Sequence, residues 1–468
     1  MLRQTRQTLA TRLIFWVIVS LACGLRLFAY GDPRLSVATL DTGSYIESAR
    51  VPLLSWQALT AQRLFTTNVV FKLVPGNPGC TNYPISMPAI GKEIKREVQP
   101  CFTGIALLQV LLSLASWVLL AVVVARHLTN PFLGIVAAGL ITLFGFTPQI
   151  AAWDSVMGSE SLSLSLLAVS FGCLIEAIFA IVGPGNKASR RRGLTLALGS
   201  IVFTLWIFTK DASLFAVPTT LLLLAPIPGF GVVRARRPAL LAILFLVCLL
   251  ALGLTTSAQS QRWRTPLQGS FESFVLPYPE RVRFMQQRFA MPDAPSVAYE
   301  SWFGTTSRSA YMAFLVLHPG FIANSIRDNR LVFVYSYQQP YFEIPSSDAT
   351  SALERLGRGL HPGSAMIYLA DTIAVIVVCT VGLRQRELRI LCWAWILAWL
   401  YLAAAITLFV TYFADAQGVM RHVFPSLEMF RLLMWLSLIV LAEMVLHPPE
   451  RKIDSQTQPP SQPAYRAS

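Results

Sequence analysis

Ten long, predominantly apolar stretches constrain this chain more than any other feature of its sequence. They lie near residues 13–30, 104–125, 132–148, 159–183, 194–209, 213–230, 239–257, 366–383, 390–412 and 425–446. A helix crossing a bilayer core needs roughly 17 to 25 such residues, and only the fifth stretch is slightly short. Because lipid offers no hydrogen-bond partners to the backbone, apolar stretches of this length predict helices. With 54% hydrophobic and 13% charged residues, the composition favours one all-α polytopic membrane protein of about ten transmembrane helices over several soluble domains.

The distribution of charge predicts how these helices are oriented. With a cytosolic amino terminus, the inner segments are rich in Arg and Lys and carry only Glu387, Glu450 and Asp454 as acids. The short outer loops carry only Lys210 and Arg421 as cations. The positive-inside rule therefore places both termini in the cytosol, with the plasma membrane of a bacterium (the inner membrane) as the expected location. The net charge of +14 is scattered over membrane-flanking loops, so we expect membrane lipids and no nucleic acid as partners.

Composition divides the chain into four parts. Residues 1–257 form an N-terminal transmembrane module whose first outer loop is 31–103, and residues 258–365 form an extracytoplasmic region. Residues 366–446 form the C-terminal transmembrane helices, and the Pro- and Gln-rich residues 447–468 form a disordered cytosolic tail.

Two details of the outer segments lead to structural predictions. The first outer loop has apolar residues at helical spacing, which predicts short interfacial helices. In the second segment an apolar helix is interrupted at His318, Pro319 and Gly320, and it is too short to span, so we expect a re-entrant or interfacial piece. Cys80 and Cys101 share the first outer loop, where they form either a disulfide or two free thiols.

Ionisable residues inside or beside spans are costly, so their depth is informative. Most lie near the outer helix ends; Glu176 and Glu443 lie towards the inner half. A transporter is expected to place such groups near the midplane, often on broken helices. The distribution instead predicts a cavity that opens to the outside.

Asp41 is the first candidate for a catalytic residue. It follows the first span in LDTGSYIESAR, where Asp41, Tyr45 and Ala49 share one helical face. Its neighbours also make Asp41 a good helix N-cap, which is the structural alternative.

Other candidates each have a structural alternative as well. The next outer loop brings Asp154 and Glu160 to the same face, although Glu160 also fits a capping box. Lys210 and Asp211 could pair with each other or with lipid headgroups. Arg421 and His422 could serve as interfacial anchors. Glu428 and Arg431 have the spacing of an intrahelical pair, and we interpret them as structural.

Carboxylates and cations at one membrane face favour acid–base chemistry next to a phosphate. A carboxylate can take a proton from a hydroxyl or hold a divalent metal, and cations can stabilise a phosphate leaving group. The chain has no Walker-type phosphate loop, Rossmann fingerprint or zinc motif, so no cofactor is predicted with certainty, and a divalent metal remains open. Because nucleotide sugars and ATP are cytosolic, an outward-facing site needs an activated substrate in the membrane, such as a lipid-linked phosphate.

Four short motifs resemble the GT-C superfamily of polytopic glycosyltransferases, which use polyprenyl-phosphate-linked sugars. They are DTGSYIESA around Asp41 and Tyr45, GSESLSLSLL around Glu160, FTKD around Lys210, and MRHVFP around Arg421 and His422. The resemblance implies sugar transfer with inversion to a glycan, lipid or protein acceptor, with Asp41 as the base. Asp154 and Glu160 are further catalytic candidates, and Lys210, Arg421 and His422 would bind the donor phosphate. Tyr45 and Asp211 would line the substrate cavity.

One departure from the family and two competing functions stay open. Many members have a double acid in the first loop, whereas Asp41 is followed by Thr42, which puts a metal there in doubt. A lipid or oligosaccharide flippase would instead use Glu176 and Glu443 as buried coupling groups. A non-catalytic assembly subunit would use residues 258–365 to dock a partner.

Overall fold

The computed structural model describes residues 2–39, 41–74, 100–182, 189–227, 236–344, 346–416 and 418–446. The predicted tail 447–468 and Cys80 lie outside the described residues. Cys101 is buried at the start of a long helix and is disulfide-bonded.

Helices make up nearly all of the regular structure in the described chain. The N-terminal part contains α1 (Leu2–Ala29), α2 (Thr42–Ala49), α3 (Trp56–Thr60), α4 (Phe65–Leu73), α5 (Thr103–His127), α6 (Pro131–Phe146), α7 (Pro148–Ala151), α8 (Glu160–Val182), α9 (Ser189–Ile207), α10 (Ala216–Leu224) and α11 (Arg236–Ser260). The remainder contains α12 (Arg264–Phe274), α13 (Pro279–Phe289), α14 (Val297–Thr305), α15 (Ser307–Leu317), α16 (Pro319–Asp328), α17 (Asp348–Leu360), α18 (Met366–Gln385), α19 (Leu388–Ala414) and α20 (Val419–Leu446). Short 3₁₀ turns lie at Pro100–Phe102, Ala152–Ser155, Asp211–Phe215 and Arg330–Phe333, and two short strands are β1 (Val37–Ala38) and β2 (Val156–Met157).

By length and composition, seven helices within the described ranges can cross a membrane, and two bent helix pairs raise the number to nine, against about ten predicted. The seven are α1, α5, α8, α11, α18, α19 and α20, and the bent pairs are α6 with α7 (46°) and α15 with α16 (84°). The prediction of an all-α polytopic membrane protein is confirmed. Each of the ten predicted stretches is largely helical where the structure describes it, but the fifth and sixth form short apolar helices, Gly193–Ile207 and Asp211–Leu224. Lys210 lies between these two helices, and Asp211 begins the second.

The long helices alternate in direction, which gives the bundle two chemically different ends. The end where α1 and α19 finish and α5, α8 and α20 begin is called the site end below. At the opposite end, Arg389 at the start of α19 bonds Glu443 near the end of α20, at 2.8 Å. Arg126 and Arg384, in the last turns of α5 and α18, also lie there. The charge asymmetry that predicts the orientation is therefore also present in the folded bundle.

Aromatic side chains fill the centre of the bundle. Phe171 of α8 stacks on Trp399 of α19 with ring centroids 5.7 Å apart, and the Trp399 indole N–H donates to Thr220 Oγ1 at 2.8 Å. Leu13 and Phe28 of α1 and Ile376 of α18 are exposed, as expected of side chains facing lipid. The core thus fixes α8, α10 and α19 relative to one another, below the site end.

Two short strands fasten the segment after α1 to the segment before α8. β1 and β2 pair in parallel, with Val37 opposite Val156 and Ala38 opposite Met157. The Thr42 hydroxyl donates to the Met157 carbonyl at 2.9 Å, just beyond the strands. Because this pairing fixes both segments, it brings Asp41 and Glu160 to the same place.

The segment between α11 and α18 packs against the site end of the bundle. Ser270 of α12 and Tyr311 of α15 both donate to the carbonyl of Phe413, at 3.1 and 2.8 Å. In α17 the Thr350 hydroxyl donates to the carbonyl of Ala29, the last residue of α1, at 2.8 Å. The predicted interruption at His318 is present, since α15 ends at Leu317 and α16 turns away at 84°.

Candidate active site

Asp41 occupies the N-cap position of α2, but its side chain makes no capping hydrogen bond. Instead its Oδ1 accepts from Arg63 Nη2 and its Oδ2 accepts from Arg421 Nη2, each at 2.6 Å. The side chain of Asp41 is 31% exposed and that of Arg63 is 25% exposed, so this edge is open to a ligand. The structure therefore supports an interaction across the fold rather than a helix cap.

Arg421 links Asp41 to a second carboxylate. Its Nε donates to Glu160 Oε1 at 2.8 Å, and its Nη1 donates to the Tyr341 hydroxyl at 3.0 Å. Residues 41, 160 and 421 lie on three different elements, at the starts of α2, α8 and α20. A single guanidinium thus binds side chains from three distant parts of the chain.

Lys210 completes this group from the turn after α9. Its Nζ lies 3.1 Å from Glu160 Oε1, and Glu160 is buried as the first residue of α8. Burial lowers the pKa of Lys210 below its usual 10.5, while Glu160 opposes that shift. We refer to Asp41, Arg63, Glu160, Lys210 and Arg421 as the charged cluster.

Arg63 and Tyr341 belong to this site although the sequence analysis did not identify them. Arg63 lies between α3 and α4, its Nε donates to Ser44 Oγ at 2.6 Å, and its guanidinium lies 4.6 Å from the ring centroid of Tyr45. The only sequence signal for Arg63 is a cation in the first outer loop, which several other residues share. Tyr341 lies in an irregular segment without a recognisable motif.

The electrostatic surroundings keep Asp41 ionised. Burial alone would raise the pKa of Asp41, but the guanidinium groups of Arg421 and Arg63 outweigh burial and hold it below its usual 3.8. Burial, with a smaller contribution from the Glu160 charge, raises the pKa of Tyr45 to about 12, so Tyr45 stays neutral. The cluster therefore presents one accessible carboxylate beside a neutral phenol and several cations.

Three predicted site residues bond elsewhere at the site end. Asp154 bonds Arg26 at 2.9 Å and accepts from the Ser161 hydroxyl at 2.6 Å, and both members of this ion pair are buried. Asp211 contacts Arg262 at 3.4 Å. The His422 ring lies 3.3 Å from Asp415. These three residues have partners outside the charged cluster, and their catalytic, cavity-lining and phosphate-binding roles stay predictions.

Several structural interpretations from the sequence hold in the fold. Glu428 and Arg431 form the expected intrahelical pair. His361 also contacts Glu428, with its Nδ1 2.5 Å from Glu428 Oε2. Glu176 bonds Arg126 at 2.7 Å, and Glu443 accepts from the backbone N–H of Thr129 at 2.6 Å. The two acids that a flippase would use are therefore occupied by partners.

No family model matches the chain, and no curated protein matches it either. Among solved structures, the chain is similar to the archaeal oligosaccharyltransferase AglB from Archaeoglobus fulgidus, solved with an inhibitory peptide and a dolichol-phosphate, at 12% identity and a TM-score of 0.46. It is also similar to an oligosaccharyltransferase from the same organism tethered to an acceptor peptide (11%, 0.45) and to one in complex with Zn and sulfate (12%, 0.44).

All three neighbours are oligosaccharyltransferases. The alignments cover 93–94% of this chain but only 49–51% of the neighbours, so the chain spans about half their length. At this identity and TM-score, the similarity by itself assigns neither a substrate nor an activity to the chain.

Proposed function

We propose that this chain is a membrane glycosyltransferase that moves a sugar from a polyprenyl-phosphate-linked donor to an acceptor hydroxyl on the outer face of the membrane. The charged cluster is the observation that carries the proposal. It combines an accessible ionised carboxylate, Asp41, with three cations, Arg63, Lys210 and Arg421. A proton acceptor next to a phosphate-binding surface is what glycosyl transfer from a lipid phosphate requires.

In the proposed reaction, the acceptor oxygen forms a bond to the anomeric carbon of the sugar. The bond between that carbon and the phosphate oxygen breaks, and the hydroxyl proton passes to the Asp41 carboxylate. The departing polyprenyl phosphate keeps the electron pair, and Lys210 and Arg63 stabilise its negative charge with Arg421 nearby. Direct displacement from the opposite side of the sugar would invert the anomeric centre.

The Arg contacts of Asp41 give the proposed base a dependence on donor binding. With both carboxylate oxygens held by guanidinium groups, Asp41 has a lowered pKa and is a weak proton acceptor. A donor phosphate that attracts Arg63 and Arg421 would reduce this effect and make Asp41 more basic. The base would then be strongest when the leaving group is in place.

The location of the charged cluster supports a donor that resides in the membrane. The cluster lies where α8 and α20, both long enough to span a bilayer, begin. A polyprenyl chain beside these helices would leave its phosphate at the level of Lys210 and Arg63.

Purified protein in lipid vesicles, supplied with a polyprenyl phosphate that carries a radiolabelled hexose, tests the proposal. We expect formation of polyprenyl phosphate together with transfer of label to acceptors from cell-envelope extract. Asp41→Asn should lower the rate by about 10² to 10⁴, the usual cost of losing a positioned acid–base group. Lys210→Ala should raise the donor concentration needed for half-maximal rate.

Glu47→Gln is the matched control, because Glu47 lies on the same helix as Tyr45 but forms an exposed pair with Arg50. It should leave turnover unchanged. Full turnover by Asp41→Asn would eliminate the proposed base. Movement of intact donor across the vesicle membrane, without cleavage of the sugar–phosphate bond, would favour a flippase instead.

A further inference from the structure

The two carboxylates of the charged cluster already have cationic side chains as partners. Asp41 binds Arg63 through Oδ1 and Arg421 through Oδ2. Glu160 Oε1 accepts from Arg421 Nε at 2.8 Å and lies 3.1 Å from Lys210 Nζ. Carboxylate oxygens gathered in this way are also the ligands that a divalent cation prefers. Whether the cluster fits a metal therefore depends on how these oxygens are already used.

The donor set does not fit a divalent metal. One or two carboxylates can hold a divalent cation when water or phosphate supplies its other ligands, so the fit depends on what already occupies Asp41 and Glu160. Within the ranges that the structure describes, no group of three or more His, Cys, Asp or Glu side chains is placed to hold a metal ion. The guanidinium of Arg421 also lies between the two carboxylates and bonds both of them.

We infer that the guanidinium of Arg421 takes the place between Asp41 and Glu160 that a divalent cation would need, so that the site positions its carboxylates without a resident metal. Arg421 suits this function because its planar, permanently charged group can bond several acceptors at once. The Tyr341 hydroxyl accepts a third hydrogen bond from the Arg421 guanidinium. The Tyr341 ring packs edge-on against Trp153, with ring centroids 6.2 Å apart. Arg421 is thus a positioning residue.

The charge balance of the cluster supports this inference. Two carboxylates face three cations, Arg63, Lys210 and Arg421, which leaves one positive charge for an anionic ligand. Adding a divalent cation without removing Arg421 would raise the net charge to three in a largely buried site. Concentrating like charges away from water is strongly unfavourable, so Arg421 and a metal exclude each other.

Binding of Mn²⁺, followed by its electron paramagnetic resonance signal, tests the inference without requiring turnover. We expect no saturable binding to the wild-type protein. Arg421→Ala should acquire a saturable Mn²⁺ site, which the double variant Arg421→Ala/Asp41→Asn should lose. Arg421→Lys, which keeps a cation at this position, should bind no Mn²⁺. A merely structural role for Arg421 would not produce a new metal site.

The catalytic part of the inference rests on the proposed function and is tested separately with a chelator. Sugar transfer by the wild-type protein should be unchanged in excess EDTA. Saturable Mn²⁺ binding by the wild-type protein that disappears in Asp41→Asn would overturn the inference, as would a folded Arg421→Ala that binds no Mn²⁺. Absence of any sugar transfer would count against the proposed function alone, because the Mn²⁺ titrations would still stand.

Discussion

At the scale of single residues, the two ion-pair systems at the site end differ in their exposure to solvent. The Arg26–Asp154 pair has side chains only 4% and 2% exposed, and it also bonds the Ser161 hydroxyl and the Ala151 carbonyl. In the charged cluster, Asp41 and Arg63 are each at least a quarter exposed. A buried pair is costly to break, because one charge would be left without its partner, whereas an accessible carboxylate can respond to a ligand.

We predict that Asp154→Ala destabilises the protein rather than impairing its chemistry. The substitution would leave the buried Arg26 charge without its carboxylate, which typically costs about 3 to 5 kcal/mol. Thermal unfolding in detergent should show a clearly lower midpoint temperature for Asp154→Ala than for the wild type. The midpoint temperature of Glu47→Ala should be unchanged. A variant with unchanged thermal stability and a selectively reduced turnover rate would instead restore Asp154 as a catalytic residue.

At the scale of elements, the turn between β2 and α8 determines where Glu160 points. Gly158 lies in this turn, and a Cβ added to it would come within 2.6 Å of Glu160 Oε2. The Gly158 backbone does not need a left-handed conformation, so the effect of a substitution would be steric. The Glu160 carboxylate can therefore occupy this position because Gly158 has no side chain.

We predict that Gly158→Ala displaces the Glu160 carboxylate and lowers the rate of sugar transfer with little loss of stability, because the atom in contact is the end of a side chain. Gly43→Ala is the matched control, since Gly43 lies in the first turn of α2 with no heavy atom within 4 Å of an added Cβ. Gly43→Ala should be neutral or slightly stabilising. Equal rates for the two variants would show that the position of Glu160 is unimportant.

The length of the apolar stretches was sufficient to predict most helices, but not how the chain continues beyond their ends. The third predicted span, 132–148, finishes at a 46° bend where α6 ends and Pro148 begins α7. Proline lacks the backbone N–H that would continue the helix, which explains the break. Lys210 could be located between two spans from sequence, but its 3.1 Å contact with Glu160 depends on how α9 packs against α8.

At the scale of the whole molecule, the two ends of the bundle should lie on opposite sides of the membrane. We predict that Val297→Cys, at a position 90% exposed in the segment at the site end, reacts with a membrane-impermeant maleimide in intact cells. Gln385→Cys, exposed at the opposite end of α18, should react only after permeabilisation. Labelling of the wild-type protein measures the background reaction of its native cysteines. The reverse labelling pattern would place the charged cluster in the cytosol and contradict the proposed outer-face reaction.

By itself, the sequence determined the helical membrane architecture, the charge asymmetry between its ends and four members of the charged cluster: Asp41, Glu160, Lys210 and Arg421. The architecture and the asymmetry follow from local composition, since apolar length and loop charge do not depend on distant contacts, and the four residues follow from the short motifs that resemble the GT-C superfamily. Only the tertiary structure decided the pairing of charges. Asp41 bonds Arg421 across 380 positions and Arg26 bonds Asp154 across 128, so helix packing, which no local pattern encodes, separates the candidate site from the structural pair.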